Sequence, residues 1–256
     1  MVFLLRTLKN ILKAATEGPV RLFYPEVCQI CLDSTALPLQ GFVCEACQRG
    51  IMPVQAPFCH RCGLPFEGEI HQAFQCPNCH DVRLFFVSSR SACVANTLML
   101  DMLHRYKYAN ARWLEPLFER LMGAALFNDR FIDTWDVVLP VPLYSVRQRE
   151  RGYNQSAFLA QSMAARLKLP CPEGVLKRVA HTPSQTMLSR KERAVNMAKA
   201  FEVVDVETIS NRRVLLIDDV FTTGATVNEC ARVCMCAGAQ SVHVWTLARG
   251  LGVMGT

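Results

Sequence analysis

The chain has no run of eighteen consecutive apolar residues, so no membrane-spanning helix is expected. Residues 1–16 lack the uninterrupted apolar stretch and cleavage site of a secretory leader, and none is expected there. An excess of one charge is also missing: the formal net charge is only +6 over 256 residues. That balance permits contact with phosphates or nucleic acid without requiring it. No segment carries a signature for a particular nucleobase or other acceptor, and none sets an oligomeric state. Apolar residues are plentiful, at 51%. They suffice for a sizeable core in one large domain or two small ones.

Cysteine is abundant, at thirteen residues. Cys28, Cys31, Cys44 and Cys47 form C-x2-C-x12-C-x2-C, and Cys59, Cys62, Cys76 and Cys79 repeat the pattern with x13 between the pairs. Two-residue spacers suit tetrahedral thiolate sites better than structural disulfides, and each quartet matches a four-thiolate zinc ribbon. Such a closed ligand shell leaves no position for a catalytic water. The segment is too short and too rich in Pro and Gly for a good core, so metal binding supplies its folding free energy. Sequential pairing gives two stacked ribbons. Crossed pairing joins Cys28 and Cys31 to Cys59 and Cys62. Spacing does not separate the two, and sequential pairing is the expectation. His60, His71 and His80 lie nearby, but four cysteines per site already suffice. Thiolate sites imply a reducing, cytoplasmic setting.

The chain is organised around Val214–Thr226, which reads Val-Leu-Leu-Ile-Asp-Asp-Val-Phe-Thr-Thr-Gly-Ala-Thr. A short buried strand is expected, ending at Asp218 and Asp219, then a hydroxyl-rich loop, then a helix over Val227–Ala237. Ligands of open α/β sheets sit beyond the carboxyl ends of the strands, where this loop falls. Thr222, Thr223, Gly224, Ala225 and Thr226 offer backbone N–H groups and hydroxyls at a helix N-terminus, an anion site. Gly224 permits a tight turn and close approach of a ligand. The two carboxylates repel a bare phosphate but suit sugar hydroxyls or hydrated Mg²⁺. Together these groups point to a sugar phosphate. The competing reading is a Rossmann-like turn without this ligand.

Elsewhere the pattern is coarser. Met1–Thr16 reads as an amphipathic helix that packs on the rest of the protein or docks weakly on a membrane surface or partner. Leu84–Val94 reads as a strand or hairpin arm, and Ala95–Tyr108 as a helix whose basic, aromatic end, with Lys107, either binds phosphate or a base or is simply solvated. Arg112–Asn128 is an amphipathic helix facing inward through Trp113, Leu114, Leu117, Phe118 and Leu121. Asp136–Leu143 is a strand stopped by Pro140 and Pro142. Arg147, Arg149 and Arg151 follow in a loop, placed for bidentate contacts to phosphate oxygens. Gly152 then turns into a helix over Ser156–Leu167. His181–Phe201 reads as a mobile lid, with a capping box at Ser189 and Glu192 and with Arg190, Lys191 and Arg193 able to close over a diphosphate. Strands are expected over Phe201–Val206 and Ser241–Ala248, with His243 a core or surface residue.

Val214–Thr226 resembles the phosphoribosyl-pyrophosphate (PRPP) motif of type I phosphoribosyltransferases. The Cys pairs before Cys62-Gly63-Leu64-Pro65, Val141-Pro142-Leu143, Arg149-Glu150-Arg151-Gly152-Tyr153-Asn154-Gln155 and the series Thr182, Gln185, Leu188, Arg193, Asn196, Ala200-Phe201 extend the likeness. From about residue 25 onward the chain resembles the ComF/GntX family of competence and DNA-utilisation proteins. The resemblance implies that Asp218 and Asp219 bind the ribose of PRPP, that Thr222–Thr226 bind its 5′-phosphate, and that the loop after Pro142 meets its diphosphate.

The expected architecture is therefore an N-terminal helix (1–24), a Cys-rich double zinc-ribbon module (25–83) and an α/β, type I phosphoribosyltransferase-like domain (84–256), a Rossmann-like parallel sheet flanked by helices. The expected chemistry is displacement of pyrophosphate from Mg²⁺-PRPP by an unidentified nucleophile, with structural Zn²⁺ in the ribbons. The rival reading is a non-catalytic adapter whose ribbons bind single-stranded DNA or a helicase-like DNA-uptake partner, with the PRPP fold as sensor. Strongly salt-dependent DNA binding distinguishes it.

Overall fold

The computed structural model of the protein describes residues 26–68, 76–80, 82–128, 135–179 and 200–251. The helix expected over Met1–Thr16, the lid from His181 to Lys199 and His71 lie outside those residues. Two short α-helices belong to the cysteine-rich segment, α1 (Glu45–Gln48) and α2 (Pro77–His80). The rest runs β1 (Ser88–Val94), α3 (Thr97–Tyr108), α4 (Glu115–Asn128), β2 (Val137–Pro140), α5 (Ser145–Arg151), α6 (Gln155–Leu167), β3 (Leu176–Arg178), β4 (Phe201–Val203), β5 (Arg213–Phe221), α7 (Ala225–Cys236) and β6 (Ser241–Arg249).

Four strands form a wholly parallel sheet in the order β1-β6-β5-β2. Parallel strands are covered on both faces and read as continuous apolar runs, as Val214–Ile217 does. Alternation splits that run: Leu215 and Ile217 enter the cluster beneath α3, α4 and α6, while Val214 and Leu216 enter the one beneath α7. At the sheet's lower end Asp136 accepts from Arg213 Nε–H at 2.9 Å and Nη2–H at 2.8 Å. That side-chain hydrogen bonding holds the Asp136 carboxyl down at about 2. It fixes the starts of β2 and β5, opposite the loops.

Three expectations need correcting. The strand of the acid pair runs to Phe221, so Asp218 and Asp219 lie within β5, because β6 continues to pair with it through Phe221↔Arg249. The arginine run is a helix, not a loop: Arg, Gln and Glu are good helix formers, and Gly152 ends α5 at φ +78°. The strand expected over Phe201–Val206 ends at Val203, and β4 pairs antiparallel with β3, which periodicity missed because three residues, Leu-Lys-Arg, show none.

The cysteine-rich segment packs on the α/β unit. Arg105 donates to Gln29 O at 2.7 Å, and Arg120 donates to the Gln48 side chain at 2.6 Å, so α3 and α4 hold the first half. The second half sits on the other side of the sheet. Cys59, Cys62, Cys76 and Cys79 share a cluster with Phe86, Phe221 and Val227. Gly63, at φ +65°, has no room for a side chain: a Cβ there would meet Ser89 O at 2.7 Å.

Candidate functional site

The two cysteine quartets form by sequential pairing: Cys28, Cys31, Cys44 and Cys47 in one, Cys59, Cys62, Cys76 and Cys79 in the other. Neither His60 nor His80 joins a quartet. Four sulfurs around one zinc at ~2.3 Å stand about 3.8 Å apart. The observed separations include 3.8 Å for Cys28–Cys47 and Cys31–Cys44, 3.9 Å for Cys59–Cys79 and 3.4 Å for Cys62–Cys76. Backbone N–H groups already point at sulfur, Cys44 N–H to Cys28 at 3.3 Å and Cys47 N–H to Cys44 at 3.5 Å. The donor set and its spacing fit structural zinc. None of the thirteen cysteines forms a disulfide.

The acid pair is asymmetric. Asp218 Oδ1 accepts from Ser156 Oγ–H at 2.8 Å and from the Asp219 amide at 2.9 Å. Ser156 stands in the first turn of α6, whose start is fixed by Asn154; that side chain accepts from Ser156 N–H at 3.1 Å and donates to Val141 O at 3.1 Å. Asp219 Oδ2 instead faces Lys107 Nζ at 2.6 Å. Burial, and then the Asp219 charge, push the Asp218 carboxyl up to about 7, against the pull of Ser156 and Lys107.

Past the acids the chain makes the hydroxyl loop. Gly224 caps α7 at φ +79°. Packing alone already requires glycine here: a Cβ would stand 2.5 Å from Phe221 Cζ. The backbone is shaped by Ala225 N–H donating to Thr223 Oγ1 at 3.4 Å. Thr222 to Thr226 and Asp218 line one small recess at the N-terminus of α7.

A cavity of about 350 Å³ is lined by Lys107, Tyr108, Asn110, Arg147, Glu150 and Arg151. Arg151 donates to Tyr108 Oη at 3.1 Å and to Gln155 Oε1 at 3.2 Å, stacking 4.8 Å above the Tyr108 ring. Tyr153 donates to Tyr106 O, which ties the turn after α5 to α3. Of the three arginines expected at phosphate, Arg147 and Arg151 line this cavity, whereas Arg149 is exposed and does not. Arg178 of β3 is a residue that sequence reasoning missed. Burial first and the Arg147 charge second lower its pKa, and Asp218 opposes them. Ser156 and Arg178 gave no local signal, since both reach the acid pair only through the fold.

A parallel sheet with an acid pair and a hydroxyl loop at one strand end, carrying paired zinc ribbons, defines a zinc-ribbon protein of the phosphoribosyltransferase fold. Residues 20–83 match the double zinc ribbon domain and residues 154–252 the phosphoribosyl transferase domain. Competence protein F of Haemophilus influenzae is 32% identical over 213 residues, covering 81% of this chain and 90% of that one. DNA utilization protein YhgH of Salmonella typhimurium is 29% identical over 235 residues, covering 89% and 98%. Competence protein ComFC of Bacillus subtilis is 27% identical over 216 residues, covering 81% and 84%. The chain belongs to the ComF/GntX family.

Proposed function

We propose that the chain binds PRPP at the carboxyl end of β5 and serves in natural competence or the use of external DNA. The observation that supports this best is the grouping at one strand end of Asp218 and Asp219, the Thr222–Thr226 recess and residues Lys107 and Ser156. Carboxylates accept hydrogen bonds from a ribose diol, and N–H groups at the start of α7 take the 5′-phosphate. Arg147 and Arg151 in the basic cavity take the diphosphate. Arg149 steers from outside at most.

Among the described residues only the cysteine quartets bring together three or more potential metal ligands. Mg²⁺ in this reading arrives with PRPP, held by diphosphate oxygens and water, with Asp218 and Asp219 as the nearby acids. When bound it neutralises diphosphate charge. The chain's own residues orient the ribose and hold the diphosphate as it leaves, so the reaction class is pentosyl transfer with pyrophosphate released. Names of relatives point to a DNA-related partner. No helix among the described residues is long and apolar enough to cross a membrane, and thirteen cysteines without a disulfide suit a reducing compartment such as the cytoplasm.

Equilibrium binding of labelled PRPP to the zinc-loaded chain tests the reading. Ribose 5-phosphate and inorganic pyrophosphate should each displace it, and the Arg147→Ala/Arg151→Ala variant should lose the pyrophosphate competition selectively. Displacement by neither compound would overturn the assignment.

A further inference from the structure

We propose that Arg249 is a positioning residue through which metal occupancy of the second cysteine quartet sets the shape of the phosphate loop; the ligand of that loop rests on the reading above. Arg249 ends β6 and is buried, at 1% exposure. Its Nε–H donates to Cys62 O at 3.1 Å, and Nη2 lies 3.7 Å from the Cys62 sulfur. Its Nη1–H donates to Phe221 O at 3.1 Å, to Thr222 O at 3.0 Å and to Gly250 O. The guanidinium carbon stands 4.5 Å over the Phe221 ring. One planar fork thus holds a quartet cysteine with one side, and the end of β5 with the first loop residue on the other.

A buried cation needs compensating charge. The partners of Arg249 here are carbonyl oxygens and the Cys62 sulfur, not a carboxylate. Four thiolates around one Zn²⁺ carry a net negative charge, and that charge is the counter-ion. Losing the metal disbands the quartet and leaves Arg249 uncompensated. Its movement pulls on Phe221 O and Thr222 O together. Phe221 passes the change on, because its ring fills the space under Gly224 at the start of α7. A second strut follows the same route: Asn228 of α7 accepts from Phe85 N–H at 2.8 Å and donates to Arg83 O at 2.9 Å, in the segment leaving the quartet. The first quartet has no such strut to the loop among the contacts described; it leans on α3 and α4.

Hydrogen exchange of the full-length chain, read by mass spectrometry, tests this without any ligand. Cys79→Ser, which strips the second quartet, should speed exchange over residues 222–226 by roughly tenfold or more, as expected for losing charged hydrogen bonds to two carbonyls. Cys31→Ser, which strips the first quartet, should leave that segment unchanged. Arg249→Lys keeps all eight thiolates and should retain zinc, yet show the same local gain. It also carries the test should Cys79→Ser fail to fold. By linkage, ribose 5-phosphate should slow release of the second quartet's zinc to a chelator, and not the first's. Unchanged exchange over 222–226 in Arg249→Lys, or acceleration spread evenly over the chain, would overturn the proposal. A loop that responds to zinc but never binds ribose 5-phosphate would leave it standing and remove the PRPP reading instead.

Discussion

Lys107 Nζ sits 2.6 Å from Asp219 Oδ2, so the end of α3 supplies the counter-charge for an acid pair on β5. The lysine was expected to meet phosphate, and it also lines the basic cavity. It therefore stands between the acid pair and the cavity proposed to take the diphosphate. Removing it leaves Asp219 unpaired and raises the Asp218 carboxyl further above its present value of about 7. Lys107→Met should shift the pH midpoint of PRPP binding upward and weaken binding at neutral pH. Isothermal titrations across the neutral range check this, and an unmoved midpoint would count against the pairing.

Stability should carry the mark of the same residue. The Asp218 carboxyl is raised from 3.8 to about 7, chiefly by burial. Between those values the folded state holds a proton that the unfolded state has lost, so stability falls as pH rises through this window and levels off above it. Asp218→Asn removes the titrating group. Its stability relative to the parent should grow as pH rises from 4 to 7 on the same logic (about zero at the acid end), read by urea unfolding at each pH. Equal offsets at both ends would contradict the raised carboxyl.

Gly224 offers a purely steric prediction. Its φ of +79° and the 2.5 Å approach to Phe221 Cζ leave no place for a Cβ. Gly224→Ala should destabilise the protein by about 1–3 kcal/mol from backbone strain alone, with the ring clash adding to it. Phe221→Ala in the same background should recover part of the clash. Chemical unfolding of both variants and the pair gives the cycle.

The zinc quartets should differ in consequence. Each holds one metal in the sequential arrangement, so Cys31→Ser and Cys79→Ser should each lower the zinc content by half. Cys31 is exposed, while Cys79 is buried in the cluster that also contains Phe86 and Phe221. The second variant should therefore lower the unfolding midpoint more. Metal analysis alongside thermal unfolding checks both statements, and a larger loss from Cys31→Ser would reverse the packing argument.

Much of this site was legible because its chemistry is local. Asp218, Asp219 and the hydroxyl loop occupy one stretch, and each cysteine quartet spans few enough residues for spacing to define it. The partners that tune those groups are not local. Ser156 reaches Asp218 across 62 positions, and Arg249 reaches Cys62 across 187. Nothing in a single strand or loop encodes such meetings; the order of strands in the sheet does. The arginine run misled for a different reason. Arg147, Arg149 and Arg151 read as a loop by charge, yet their helix propensity won, and helical spacing turned Arg149 away from the cavity that Arg147 and Arg151 line.

The central claim is that Asp218 and Asp219 mark a PRPP site. Calorimetric titration of the zinc-loaded chain with PRPP and Mg²⁺, against the Asp218→Ala/Asp219→Ala variant, tests it most directly. The account predicts saturable binding by the parent chain, weakened by about 1–3 kcal/mol for each carboxylate removed. Binding of equal affinity in the folded double variant, or none in the folded parent, would contradict it.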